Sequence, residues 1–193
     1  MTVAVDERDA VLIVDVQKDF LPGGSLAVSR GDEVVPVLNH YLALACRKWL
    51  PVFASRDWHP RRHCSFRAQG GAWPEHCVAG TPGAEFAPAL DLPPDAVVIS
   101  KATREGGDAY SAFSGTDLAQ RLRDLGVRRL LVGGLATDYC VLETVRDARK
   151  HGFDVLLLLD AVRAVDVKPG DGERAEREMR EAGAGSATIG DFA

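Results

Sequence analysis

The 193-residue chain has no apolar run near the roughly 20 residues that a membrane helix needs. It also has no excess of positive charge. Lys and Arg number 23 against 28 Asp and Glu, a formal charge of −5, and no five basic residues stand together. Nucleic acid and anionic membrane surfaces are therefore poor partners. Nothing in Met1 to Asp9 resembles a basic segment followed by an apolar one, so no secretory leader is expected. Cysteine is sparse. Cys46, Cys64, Cys77 and Cys140 include no C-x-x-C pair, which argues against a zinc ribbon, a dithiol redox centre or a disulfide framework. These absences leave a cytoplasmic protein with free thiols as the expectation. Repeats, low-complexity tracts and linkers are missing as well.

What is present is a globular composition, 46% apolar and 26% charged, long enough for a full core without staples. Strand-like and helix-like segments alternate. Ala10 to Val16 is a short β-branched run. Residues 32–49 place Val34, Val35, Leu38, Leu42 and Ala45 at helical spacing. Val52 to Ser55 and Val97 to Ser100 read as strands. Ser114 and Asp117 resemble a capping box for a helix ending at Gly126. Arg129 to Val132 reads as a strand, Asp138 to His151 as a helix, and Val155 to Leu159 as a strand apolar on both faces and so central. Glu173 to Ala182 reads as a charged helix and Ser186 to Ile189 as a last strand. The pattern predicts one α/β domain over 1–193, with a doubly wound, mostly parallel sheet of five or six strands and helices on both faces.

The alternation stops at 57–96. That interval holds Trp58 and Trp73, two of three tryptophans, and His59, His63 and His76, three of five histidines. A long loop of this composition is expected to be a binding loop over a site.

Ligands of open parallel sheets bind beyond the carboxyl ends of the strands. The polar residues expected there are Asp15, Asp57, Lys101 and Cys140. Cys140 would lie in the first turn of its helix, where free N–H groups, with a lysine nearby, lower a thiol pKa. Beside a cysteine in apolar surroundings, Asp15 would be raised toward the range of a general base. Lys101 would hold the two in register. Asp57, His59 and His76 form a donor set suited to Zn²⁺, Fe²⁺ or Mn²⁺ with positions left open. His63 reads either as a fourth ligand or as a group that orients one, and Cys64 and Cys77 read as packing residues.

Six ordered blocks of sequence carry a more specific signal. They are Val14-Asp15-Val16-Gln17-Lys18-Asp19-Phe20 with Leu21-Pro22-Gly23-Gly24-Ser25-Leu26; Ser55-Arg56-Asp57-Trp58-His59-Pro60 with His63 and Ser65-Phe66; Trp73-Pro74-Glu75-His76-Cys77-Val78; Lys101-Ala102-Thr103; Asp108-Ala109-Tyr110-Ser111-Ala112-Phe113; and Gly133-Gly134-Leu135-Ala136-Thr137-Asp138-Tyr139-Cys140-Val141. Over nearly its whole length the chain resembles the nicotinamidases (pyrazinamidases) of the isochorismatase-like cysteine hydrolases. The resemblance implies a Rossmann-like three-layer fold and a triad of Asp15, Lys101 and Cys140. It implies metal ligation by Asp57, His59 and His76, with zinc first among the candidate ions. It further implies a cis Leu135–Ala136 peptide, an oxyanion hole from the N–H groups of Ala136 and Cys140, and pocket walls from Phe20, Trp73 and Tyr110. The implied reaction is hydrolysis of nicotinamide, and of pyrazinamide, in NAD salvage by a homo-oligomer. Two residues depart from the family pattern: Lys18 where many relatives have Asn, and Ala102 where many have Gly. The alternatives are a family amidase acting on N-carbamoyl compounds, an isochorismatase cleaving a vinyl ether, or a silent scaffold. The metal set with Cys140 argues against the vinyl-ether reading, and the complete triad against the scaffold.

Overall fold

The computed structural model describes residues 2–192. Six strands form one wholly parallel sheet: β1 (Asp9–Val14), β2 (Val52–Asp57), β3 (Val97–Lys101), β4 (Arg129–Leu135), β5 (Asp154–Arg163) and β6 (Gly185–Ala187), in spatial order β3-β2-β1-β4-β5-β6. The middle strand β1 is buried at all six positions, as a parallel strand covered on both faces must be.

Four α-helices cover the sheet: α1 (Val34–Lys48), α2 (Leu118–Asp124), α3 (Leu142–Lys150) and α4 (Asp171–Glu181). One face packs Leu12, Val14, Leu130 and Val132 beneath Leu118, Leu122, Val145 and Met179 of α2, α3 and α4. The other packs Val11, Ile13 and Leu131 beneath Val34, Leu38 and Leu42 of α1, with Cys77, Ala84 and Leu90 of the long loop completing it. A buried leucine such as Leu12 or Leu38 contributes about 2 kcal/mol through area removed from water. Pro36 sits in the first turn of α1, where its missing N–H has no partner to lose. No helix among the described residues is long and apolar enough to cross a membrane.

Several expected boundaries move. The strand read as Arg129 to Val132 continues through Gly133 and Gly134 to Leu135. A Cβ at Gly133 would lie 2.9 Å from Leu38 Cδ2, and one at Gly134 would lie 2.1 Å from the Val14 carbonyl oxygen. These glycines permit close packing inside a strand rather than ending it. The β5 strand is longer than read and lies next to edge strand β6, not centrally. The Ser114–Asp117 capping box is absent. Asp117 precedes α2 without a side-chain cap and pairs with Arg121 instead. The helix expected to open at Asp138 opens with a π turn, Thr137–Val141, and becomes α-helical at Leu142.

Strand order reverses between β1 and β4, which opens a crevice at their carboxyl ends. The 57–96 segment folds over that end, with only short 3₁₀ turns at Arg67–Gln69 and Pro82–Ala84.

Candidate active site

Four adjacent strands, β3, β2, β1 and β4, each lead to one polar side chain at the crevice. Asp15 follows β1 in a left-handed conformation, φ 50°, which aspartate tolerates better than most residues. Asp57 closes β2 and Lys101 closes β3, and the two are register partners. Cys140 stands in the π turn after β4. All four are buried. The Lys101 ammonium lies 2.9 Å from Asp15 Oδ2, and it donates to Asp57 Oδ1 at 2.5 Å, the Ala109 carbonyl at 3.1 Å and Cys140 Sγ at 3.5 Å. One ligand atom from each of Asp15, Asp57 and Cys140 falls within 4.8 Å of the others.

The two Asp15 oxygens differ. Oδ1 accepts from the Ser55 hydroxyl at 2.7 Å. Oδ2 is fully buried, and the Lys101 ammonium meets it at 2.9 Å as an ion pair rather than a well-directed hydrogen bond. Burial raises the Asp15 pKa, with Lys101 opposing, as the sequence leads one to expect. Cys140 reverses its expectation. Burial pushes the thiol well up despite the opposing Lys101, so the resting sulfur is a thiol. The helix-terminus argument fails because no ordinary α-helical first turn surrounds the sulfur and the thiol is buried. Burial also works against the Lys101 charge, but Asp15 and Asp57 outweigh it and raise the lysine further.

Asp57, His59 and His76 form the second group, each buried, with ligand atoms within 4.8 Å of one another. His59 Nδ1 faces the His76 carbonyl at 3.0 Å, and His76 Nδ1 faces the Pro74 carbonyl at 2.8 Å. Carbonyls only accept, so both Nδ1 atoms carry the proton and both Nε2 lone pairs remain available for a cation. Burial lowers both histidines, His59 to about 3, which keeps them neutral. The donor set therefore fits a divalent transition ion. Asp57 belongs to both groups.

The Gln17 amide fastens this loop to the sheet. It donates to the carbonyls of Asp57 and Ala84 and accepts from the Asp57 N–H at 2.8 Å. Asp19 Oδ2 accepts the Cys77 N–H at 2.7 Å, one residue from His76. Cys77 itself is a core residue, and Cys64 is half-buried. Lys18 pairs with Glu85 on the surface. Ala102 is buried at φ 52°, in the left-handed region that glycine favours.

The Leu135–Ala136 peptide is cis. The Ala136 carbonyl accepts from the N–H groups of Tyr139 and Val141, which fixes the turn carrying Cys140. Ala136 and Cys140 both line a pocket whose walls include Phe20, Trp73 and Tyr110. Asp57 and His76 line it too, so the thiol and the metal-ligand set open onto one cavity. The Trp73 indole N–H donates to the Tyr110 hydroxyl at 3.0 Å. Sequence reasoning assigned no role to Tyr139, whose ring packs 5.1 Å from Trp73 and 5.6 Å from Tyr110. Leu26, Val28 and Val165 also line the pocket unassigned. Adjacency to the nucleophile was the only signal for Tyr139, and Val165 had none.

This arrangement can transfer an acyl group to sulfur beside a bound cation, and proteins of similar sequence carry matching names. The chain is 39% identical over 204 residues to a nicotinamidase of Escherichia coli, covering 95% of this chain and 96% of that one. It is 42% identical over 164 residues to a nicotinamidase/pyrazinamidase of Mycobacterium tuberculosis, covering 81% and 87%. A crystal structure of a Pyrococcus horikoshii pyrazinamidase in complex with zinc superposes with a TM-score of 0.90 at 51% identity, covering 94% of this chain and 99% of that one. The isochorismatase domain model matches residues 9–189, and on that match and these identities the chain belongs to the isochorismatase-domain family.

Proposed function

We propose that the protein is a nicotinamidase: a cysteine amidohydrolase that converts nicotinamide to nicotinate and ammonia, and pyrazinamide to pyrazinoate and ammonia, in NAD salvage. The single observation that carries the reading is the buried, Lys101-paired Asp15 carboxylate within 4.8 Å of the Cys140 thiol, which itself lines a pocket with aromatic walls. The names and identities of the relatives support the same substrate class.

In this mechanism Asp15 takes the Cys140 thiol proton and the thiolate attacks the carboxamide carbon. The N–H groups of Ala136 and Cys140 hold the oxyanion, a contribution of about 3 kcal/mol in comparable sites. Asp15 returns its proton to the amide nitrogen, and the C–N bond breaks to release ammonia and leave a thioester. A water molecule, losing its proton to Asp15, attacks that thioester. The C–S bond breaks, the acid departs, and the proton returns to sulfur. Lys101 holds Asp15 and Asp57 in place throughout. Phe20, Trp73 and Tyr110 hold the flat ring by stacking.

Asp57, His59 and His76 would hold the ion, for which we take zinc, the metal in the Pyrococcus horikoshii complex; Fe²⁺ and Mn²⁺ accept the same donors. When bound, it supplies a Lewis-acid anchor for the pyridine nitrogen and so fixes ring orientation. In this proposal the whole chain, 1–193, works as one hydrolase domain with 57–96 as its metal-binding loop. Its working form is a cytoplasmic homo-oligomer, whose assembly sedimentation of the purified protein tests.

The experiment is ammonia release from nicotinamide before chelation, after it, and after metal restoration. Activity that vanishes and returns is expected, for pyrazinamide equally. No activity in metal-replete protein, or wild-type activity in Cys140→Ala, overturns the reading.

A further inference from the structure

His63 is fully buried, yet it lies outside the Asp57, His59 and His76 group and does not line the substrate pocket. Its surroundings give it another task. Its Nε2 lies 3.2 Å from the Gly107 carbonyl. A carbonyl only accepts, so Nε2 carries the proton. Its Nδ1 then accepts from the Ser65 hydroxyl at 2.7 Å and the Ser65 N–H at 3.3 Å. Neither nitrogen has a free lone pair to offer a cation.

The faces of the ring are engaged as well. His63 stacks on His59 with centroids 4.2 Å apart and planes 30° apart. Phe66 meets both rings edge-on, at 5.7 Å from His63 and 5.3 Å from His59. Gly107 belongs to the strap 103–110. The Glu105 carbonyl of that strap accepts the Cys64 N–H, its Ala109 carbonyl accepts from Lys101, and its Tyr110 forms a pocket wall.

We propose that His63 is a positioning residue that ligates nothing. Its stack on His59 fixes the plane of that ring, and its bond to Gly107 ties the same ring to the strap that carries Tyr110. One imidazole thus links the metal-binding side of the pocket to its aromatic side. The inference rests on reading Asp57, His59 and His76 as a metal site, and it replaces a fourth-ligand role for His63.

Three variants separate the two links. His63→Phe keeps an aromatic face against His59 and loses both hydrogen bonds. His63→Gln keeps a donor and an acceptor and loses the stacked ring. His63→Ala loses everything. The probe is Co²⁺, read by its visible absorption and by competition with a chromophoric chelator, with kcat and KM for nicotinamide measured separately. Thermal midpoints are taken first, and the Gln and Phe variants carry the test if Ala does not fold.

Co²⁺ is expected to bind His63→Ala in wild-type proportion and with a wild-type absorption band, but about 10- to 100-fold more weakly. His63→Phe should recover most of that affinity and leave KM raised. His63→Gln should return KM toward wild type and leave affinity low. A changed cobalt band in His63→Ala, with affinity lost in all three variants, makes His63 a ligand and overturns the proposal. Unchanged affinity and KM in all three overturns it from the other side. A wild-type protein that hydrolyses nicotinamide but binds no Co²⁺ removes the metal site, and this inference with it, while sparing the cysteine chemistry.

Discussion

The strand β1 has a buried aspartate at each end, and the two are treated in opposite ways. At the amino end, Asp9 receives both arms of the Arg129 guanidinium at 2.7 Å and the Asp6 N–H at 2.9 Å. Beyond the carboxyl end, Asp15 Oδ2 faces the Lys101 ammonium at 2.9 Å, a cation shared with Asp57, the Ala109 carbonyl and Cys140. Burial is nearly the same, 2% exposed against 0%. The difference lies in how completely the neighbours answer the carboxylate. A satisfied carboxylate adds to stability, whereas one whose cation is shared is readier to take a proton.

The largest effect that bears on this contrast is catalytic. Asp15→Asn should lower kcat/KM for nicotinamide by about 10²- to 10⁴-fold, the usual worth of a positioned base. Asp9→Asn should leave kcat/KM per folded molecule unchanged. Stability should reverse the order. Breaking the Asp9–Arg129 pair should cost about 3 kcal/mol in denaturant unfolding, at the low end for buried pairs because the Arg129 side chain is 28% exposed. Asp15→Asn should cost clearly less, since Lys101 keeps Asp57. Equal stability losses would erase the contrast.

A smaller effect sharpens it. Ala102 ends β3 much as Asp15 ends β1, at φ 52° and φ 50°. Ala102 has no chemistry to perform there, so Ala102→Gly should raise stability by up to about 1 kcal/mol with activity retained. A loss of stability would show that its methyl packing outweighs the backbone cost.

The smallest expected effect concerns an exposed acid. Arg30 and Arg163 hold Glu33 down at about 2. Its folded pKa lies below its unfolded one, so its contribution is present above about pH 4.5 and is lost as pH falls toward 2. Glu33→Gln should flatten the acid limb of thermal stability only slightly there, because solvent screens the pair. A change as large as that of Asp9→Asn would contradict the ranking.

The sequence made the α/β alternation legible because buried strands and one-faced helices leave opposite periodicities, as in β1 and α1. It also exposed the four strand-end residues, since strand ends follow from strand boundaries. Strand order was not legible. An apolar run such as that of β5 reports burial on both faces but not which neighbours supply it. The role of Gly133 and Gly134 was hidden for a related reason: Leu38 and Val14, the atoms that require small residues there, are distant in sequence. The Cys140 prediction went wrong because the position of a residue along a helix does not report how deeply its side chain is buried. The loop 57–96 has no periodicity to read, since it is held by side-chain hydrogen bonds, donated by the Gln17 amide and accepted by the Asp19 carboxylate.

Asp57 takes part in both the thiol group and the histidine group. That sharing makes the pocket a ruler. The shared carboxylate is fixed to the sheet by the register of β2 against β3, and the histidines reach it from the loop 57–96 that Gln17 and Asp19 tie down. In the proposed reaction the molecule that spans the two groups is a single aromatic ring with its carboxamide. On that proposal selectivity by length is expected: an amide on a longer scaffold, or a ring whose nitrogen already bears a bulky substituent, should be hydrolysed poorly.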